Sequence, residues 1–206
     1  MKTILFQGDS ITDCGRNRED ISSLGVGYPL LVSASLSFDY PGEYTFINKG
    51  ISGNRIVDVY ARIKADILNL KPDVMSILIG VNDVWHEIDF HNGVDAEKFY
   101  KIYSMLIEEI KAELPDLKIM IMEPYVAEGR ATKDNIDTFR KEVVKRAEMS
   151  KKIADKYNLK FIPLQEKFDN AFKTAPADYW LADGVHPKFT GHELIKREWI
   201  KAFKEL

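Results

Sequence analysis

The 206-residue chain has a single cysteine, so no internal disulfide can form and nothing demands an oxidising compartment. It lacks any apolar run approaching the roughly 18 residues that a membrane-spanning helix needs. Neither sign of charge dominates. With 29 Lys and Arg against 32 Asp and Glu, the formal charge is −3, which gives no bias toward nucleic acid or an anionic membrane. Neither Gly-x-Gly-x-x-Gly nor Gly-x-x-x-x-Gly-Lys-Ser/Thr occurs, so no phosphate cradle is evident. Met1–Phe6 leads straight into Gln7-Gly8-Asp9-Ser10, without the long apolar core and small-residue cleavage site of a secretory signal. Internal repeats, low-complexity tracts and Gly/Ser/Pro linkers are absent too. The expectation is a soluble, cytoplasmic protein whose residues 1–206 form one domain, long enough to bury a substantial core.

What is present is an alternation. Strand candidates at Thr3–Gln7, Thr45–Asn48, Asp73–Ile79, Lys118–Glu123 and Leu159–Pro163 include nearly continuous apolar runs, as expected of strands covered on both faces. Between them, Ile56, Tyr60, Ile63, Ile67 and Leu70 fall on one helical stripe, as do Phe99, Tyr103, Leu106, Ile110 and Leu114. Ile136–Tyr157 reads as a long charged helix, and Ile195, Trp199, Ala202 and Leu206 mark a last one. Gly25-Val26-Gly27-Tyr28-Pro29 reads as a local turn, and His86 and His91 as part of a polar connection. Alternation of this kind predicts an α/β fold with a parallel sheet and helices on both faces. In such sheets ligands bind beyond the carboxyl ends of the strands.

The segments there are rich in small and polar residues: Gly8-Asp9-Ser10-Ile11-Thr12, Asn48-Lys49-Gly50-Ile51-Ser52-Gly53-Asn54, Gly80-Val81-Asn82-Asp83, and Asp183-Gly184-Val185-His186-Pro187 before the last helix. Nucleophilic acyl transfer needs a hydroxyl or thiol, an imidazole to take its proton and a carboxylate to orient that imidazole. Of the four histidines, His186 is the best placed base, because Asp183 lies three residues before it in one turn; Asp183 could equally be a helix cap. Ser10 follows a buried strand and a Gly at an expected helix N-terminus, where a serine is often only a cap. Ser52 competes without any distinguishing arrangement, and Cys14 reads as a small buried hydrophobe rather than a thiol nucleophile. No Gly-x-Ser-x-Gly elbow is present. The N–H groups of Ser10 and Gly53 and the amide of Asn82 are candidate oxyanion donors from three loops.

Gly8-Asp9-Ser10, Gly53, Gly80-x-Asn82-Asp83 and Asp183-x-x-His186 together resemble the four ordered blocks of the SGNH (GDSL-type) hydrolases. The resemblance implies a flavodoxin-like three-layer α/β/α sandwich with a five-stranded parallel sheet. It implies Ser10 as nucleophile, His186 as base, Asp183 as its orienting carboxylate, and Ser10, Gly53 and Asn82 as the oxyanion hole. Ile11-Thr12 departs from the family's frequent Leu-Ser, which leaves the chemistry intact. Three stretches, Gly8–Arg16, Asn48–Asn54 and Gly80–Trp85, also resemble bacterial acetylxylan esterases of that family, implying removal of acetyl groups from xylo-oligosaccharides.

A sugar ester suits a polar cleft with an aromatic platform. Asp9, Trp85 and Trp180 are therefore candidate substrate contacts, with core or interface packing as the plain alternative for the tryptophans. The expected partner is a small-molecule ester, an acetylated sugar, without cofactor, metal, nucleic acid or membrane; a homo-oligomer stays open. Two other readings compete. His86-Glu87-x-x-x-His91 could suggest a metal hydrolase, but the spacing is not His-Glu-x-x-His. A flavodoxin-like binding module would be non-enzymatic, and longer acyl chains would make the substrate a lysophospholipid or thioester.

Overall fold

The computed structural model describes residues 1–206. Five strands, β1 (Lys2–Gly8), β2 (Tyr44–Asn48), β3 (Val74–Leu78), β4 (Lys118–Met122) and β5 (Lys160–Ile162), form one sheet in the order β2-β1-β3-β4-β5. Every pairing is parallel, with Phe6 opposite Asn48 on one side and Ser76 on the other. Ten helices accompany them: α1 (Ser10–Asp13), α2 (Tyr28–Asp39), α3 (Ile56–Ala61), α4 (Ile63–Asp66), α5 (Val81–Phe90), α6 (Ala96–Glu113), α7 (Ile136–Tyr157), α8 (Gln165–Ala171), α9 (Ala177–Trp180) and α10 (Phe189–Phe203). No helix is long and apolar enough to cross a membrane.

The pleat sends alternate side chains to opposite faces, and the buried core divides accordingly. Ile4, Phe6, Val74, Leu78, Met120 and Met122 face a layer built from α2, α8 and α10, where Trp199 stacks on Phe203 and lies against Phe6. Leu5, Met75, Ile77, Ile119 and Ile121 face α3, α4 and α6. Helix α7 serves both, giving Phe139 and Val143 to the first core and Ile153 and Ala154 to the second.

Three expectations need correction. The turn at Gly25–Pro29 opens α2, with Gly27 as its cap and Pro29 in its first turn. The stripe from Ile56 to Leu70 is not one helix: it breaks at Arg62 and again at Ile67, while Ile56, Val59, Ile63 and Ile67 stay buried. Arg62 at the break reaches Lys49 O, Asn54 Oδ1 and Gln7 Oε1, and so ties the segment to the ends of β1 and β2. The supposed polar connection around His86 is the helix α5, which His91 ends in a left-handed conformation.

Candidate active site

The sheet order reverses direction between β1 and β3, and the loops leaving these two strands flank that switch. Helix α1 is a single turn. Asp9 caps it by accepting the Ile11 N–H at 3.0 Å, and Cys14 closes it in the left-handed region. Ser10 is thus the first helical residue, its own N–H without an intrahelical acceptor. Asn48 at the end of β2 bonds Thr12 O and accepts from Gly50 N, fastening the second loop to α1.

Ser10 Oγ lies 2.8 Å from His186 Nε2, and His186 Nδ1 lies 2.7 Å from Asp183 Oδ2. An ionised carboxylate only accepts, so Nδ1 carries the proton and Nε2 of the neutral ring accepts from the Ser10 hydroxyl. Asp183 also receives the backbone N–H groups of Val185 and His186 through Oδ1. Burial pushes the Asp183 carboxyl up, but the hydrogen bonds from the His186 ring and from these two N–H groups outweigh it and hold the pKa at about 2. The bond to Asp183 raises His186 above its ordinary value, against the opposing pull of burial. The His186 side chain is 37% exposed, so the nucleophile's base opens to solvent.

Gly53 adopts φ +82, a left-handed conformation that a side chain would strain. Its N–H enters no backbone hydrogen bond. Asn82, in the first turn of α5, donates one amide N–H to Asn54 O at 3.1 Å, leaving the other unused. Ser10, Gly53, Asn82, Asp183 and His186 thus come from the loops the sequence singled out.

The remaining candidates divide. Trp85 sits with its ring 5.8 Å from the His186 ring and its Nε1 bonded to Asp89, beside the base. Asp9 is 1% exposed, so it is a buried cap rather than a substrate contact; burial pushes its pKa up to about 7, against the Ile11 N–H and the nearby His186. Trp180 is also displaced. An extended bridge pairs Leu181 with Pro187, and Trp180 turns into a separate groove of about 410 Å³ with Tyr179, Phe189 and Leu194.

The competitors are occupied elsewhere. The Ser52 hydroxyl donates to Asp13 Oδ2, which also takes Ser52 N–H and Arg18. His192 Nδ1 accepts the Tyr28 N–H, so its Nε2–H points at Cys14 Sγ, 3.3 Å away. Burial pulls His192 down to about 4 and pushes the Cys14 thiol up, which leaves a poor nucleophile. One neighbour was weighed in the sequence only as a metal ligand, not as part of this site: His86 Nε2 would lie 3.9 Å from a Cβ at Gly53. The only available hint was its place four residues after Asn82.

The GDSL-like lipase/acylhydrolase family model matches residues 6–194. The chain belongs to that family. Within it, an acetylxylan esterase of Geobacillus stearothermophilus is 34% identical over 205 residues, spanning 96% of this chain and 92% of that one. The crystal structure of that esterase superposes with a TM-score of 0.87 at 33% identity, covering 98% of this chain and 93% of the other. A structure described as a GDSL-like lipase of Parabacteroides merdae reaches 0.94 at 36% identity, covering 98% and 95%. This GDSL-family chain is a carboxylic ester hydrolase, so the reading as a non-enzymatic flavodoxin-like module gives way.

Proposed function

We propose that the chain is a serine esterase that removes small acyl groups, chiefly acetyl, from carbohydrates such as xylo-oligosaccharides. The observation that carries the mechanism is the unbroken relay from Ser10 Oγ through His186 to Asp183. As Ser10 Oγ attacks the ester carbonyl, Nε2 of His186 takes its proton and Asp183 stabilises the imidazolium. The oxyanion is held by the N–H groups of Ser10 and Gly53 and the unused amide N–H of Asn82. His186 then protonates the departing alcohol. Water, activated by the same ring, hydrolyses the acyl-Ser10 ester and restores the hydroxyl. Catalytic mutants of the Geobacillus esterase at a serine, an aspartate and a histidine are among the similar structures, which supports this assignment of roles.

The likeness to an acetylxylan esterase supports the sugar, and Trp85 beside His186 offers the aromatic face a pyranose ring would use. The test is hydrolysis of p-nitrophenyl esters from acetate to octanoate, with acetylated xylose in parallel, by wild type and Ser10→Ala. The expected result is Ser10-dependent activity greatest on acetate, with acetate released from the sugar. A Ser10-dependent optimum at longer chains would move the substrate to lipids or thioesters, and full activity in Ser10→Ala would overturn the mechanism.

A further inference from the structure

Asp83 is completely buried and stands next to Asn82, yet the reaction as described makes no use of it. Its carboxylate crosses from α5 to α3: Oδ1 and Oδ2 lie 3.1 and 3.2 Å from the Ile56 N–H. That N–H is one of the first in α3, and a helix start has no internal acceptor for it. The neighbouring Arg55 N–H is already taken by Asp58 of the same helix. One residue back, Asn54 O receives Asn82 Nδ2. Two bonds from consecutive residues of α5 therefore grip Asn54 and Ile56, the residues that follow Gly53. The other side of Asp83 is fixed as well, since its carbonyl accepts the Val94 N–H at 2.9 Å.

We infer that Asp83 is a positioning residue for oxyanion stabilisation: by accepting the Ile56 N–H it holds the Gly53 loop in register with Asn82. The inference rests on the oxyanion roles proposed above. Gly53 and Asn82 lie on separate loops, and each donor must meet one oxygen at hydrogen-bond distance. Arg62 holds Asn54 from the β1 side, but from α5 Asn82 tethers the loop through the same amide group that must bind the oxyanion. Asp83 supplies a second tether that is not consumed by the reaction. Burial pushes the Asp83 carboxyl up to about 8, against the Ile56 N–H and the nearby Arg146. Near neutral pH it is thus largely a neutral acceptor, which makes asparagine a close replacement.

The experiment compares Asp83→Leu with Asp83→Asn on p-nitrophenyl acetate, with active sites counted by a p-nitrophenyl phosphonate that stops at phosphonyl-Ser10. Leu removes the acceptor while keeping the same branched arrangement of side-chain heavy atoms. The expected result is a kcat per titrated site lowered about 100-fold with KM nearly unchanged, as for a small displacement of a reacting group. Asn, which keeps an oxygen for Ile56 N–H, recovers to within about threefold of wild type. A purely structural role would lower the melting temperature and the titratable fraction but leave kcat per site intact, and that outcome overturns the inference. Equal loss in Leu and Asn overturns it too.

Should the Leu variant fail to fold, Ile56→Pro removes the same bond from the donor side. Proline is tolerated at a first helical position, and Arg55 before it is already extended. The same kcat loss is expected there, and an unchanged kcat per site refutes the role. Ser10→Ala is run alongside: if it keeps the activity, the esterase mechanism itself fails, independently of Asp83.

Discussion

Asp183 decides which state His186 rests in. Its bond raises the His186 pKa, while the bonds it receives hold its own carboxyl at about 2. Ser10 needs a neutral ring, so the acid limb of kcat/KM should have its midpoint above the ordinary histidine value of about 6.5. Asp183→Asn should lower kcat by a factor on the order of 10⁴, as for an equivalent triad carboxylate, and should draw the acid limb back down in any residual activity. A pH-rate profile of both proteins checks this. Stability has a defined window as well. A raised His186 contributes below its unfolded pKa and stops contributing as pH rises through the folded one. A lowered Asp183 contributes above its unfolded value and is lost as pH falls toward about 2. The pair therefore stabilises most between roughly pH 4 and 6.5. Asp183→Asn should lower the melting temperature most within that window and flatten its fall-off on either side, and an unchanged pH dependence would refute the pairing. These residues were legible because one short turn holds Asp183 and His186. Trp180 was not, because one extended step at Leu181 sends it to another face.

The elements that carry the site are short and held by their neighbours, and that limits what periodicity can reveal. Helix α1 is a single turn, and the second loop lies directly on it: a Cβ at Gly50 would collide with the backbone N of Asp13 and the Thr12 side chain. Gly50→Ala should therefore displace α1 or the loop, costing about 1–3 kcal/mol as overpacking does and lowering kcat with it. Thermal melts and steady-state kinetics on one preparation check both. Loss of stability with intact kcat would show that the two elements can part without moving Ser10. All five strands and α7 were legible from their apolar patterns. Helix α2 was not, since Leu30 and Phe38 put apolar side chains on its exposed side and blur the 3.6-residue period. Helix α5 was missed for the opposite reason: between the core residues Val81 and Val84, Asn82 and Asp83 make its buried first turn polar, because they bond Asn54 O and the Ile56 N–H of the neighbouring loop.

For the whole molecule, the parallel sheet explains why four distant segments meet. Ser10, Gly53 and Asn82 follow β1, β2 and β3, three adjacent strands whose carboxyl ends all lie at one edge. His186 comes from outside the sheet, on the turn before α10, so its placement depends on how that helix docks. Docking is governed by Trp199, which is fully buried between Phe6 of β1 and Phe203 of its own helix. The same indole thus couples the strand that precedes Ser10 to the helix that follows His186. Trp199→Ala should cost about 3–5 kcal/mol, which in a chain of this size lowers the melting temperature by roughly 6–20 °C. The distance between Ser10 and His186 is set by the strand and the helix together, so the folded variant should also lose kcat. Trp199→Phe, which keeps an aromatic ring against Phe6, should recover most of both. If Trp199→Ala melts early but turns over at the wild-type rate below its transition, the His186 turn is held by its own bonds to the 127–131 loop, and α10 contributes stability alone.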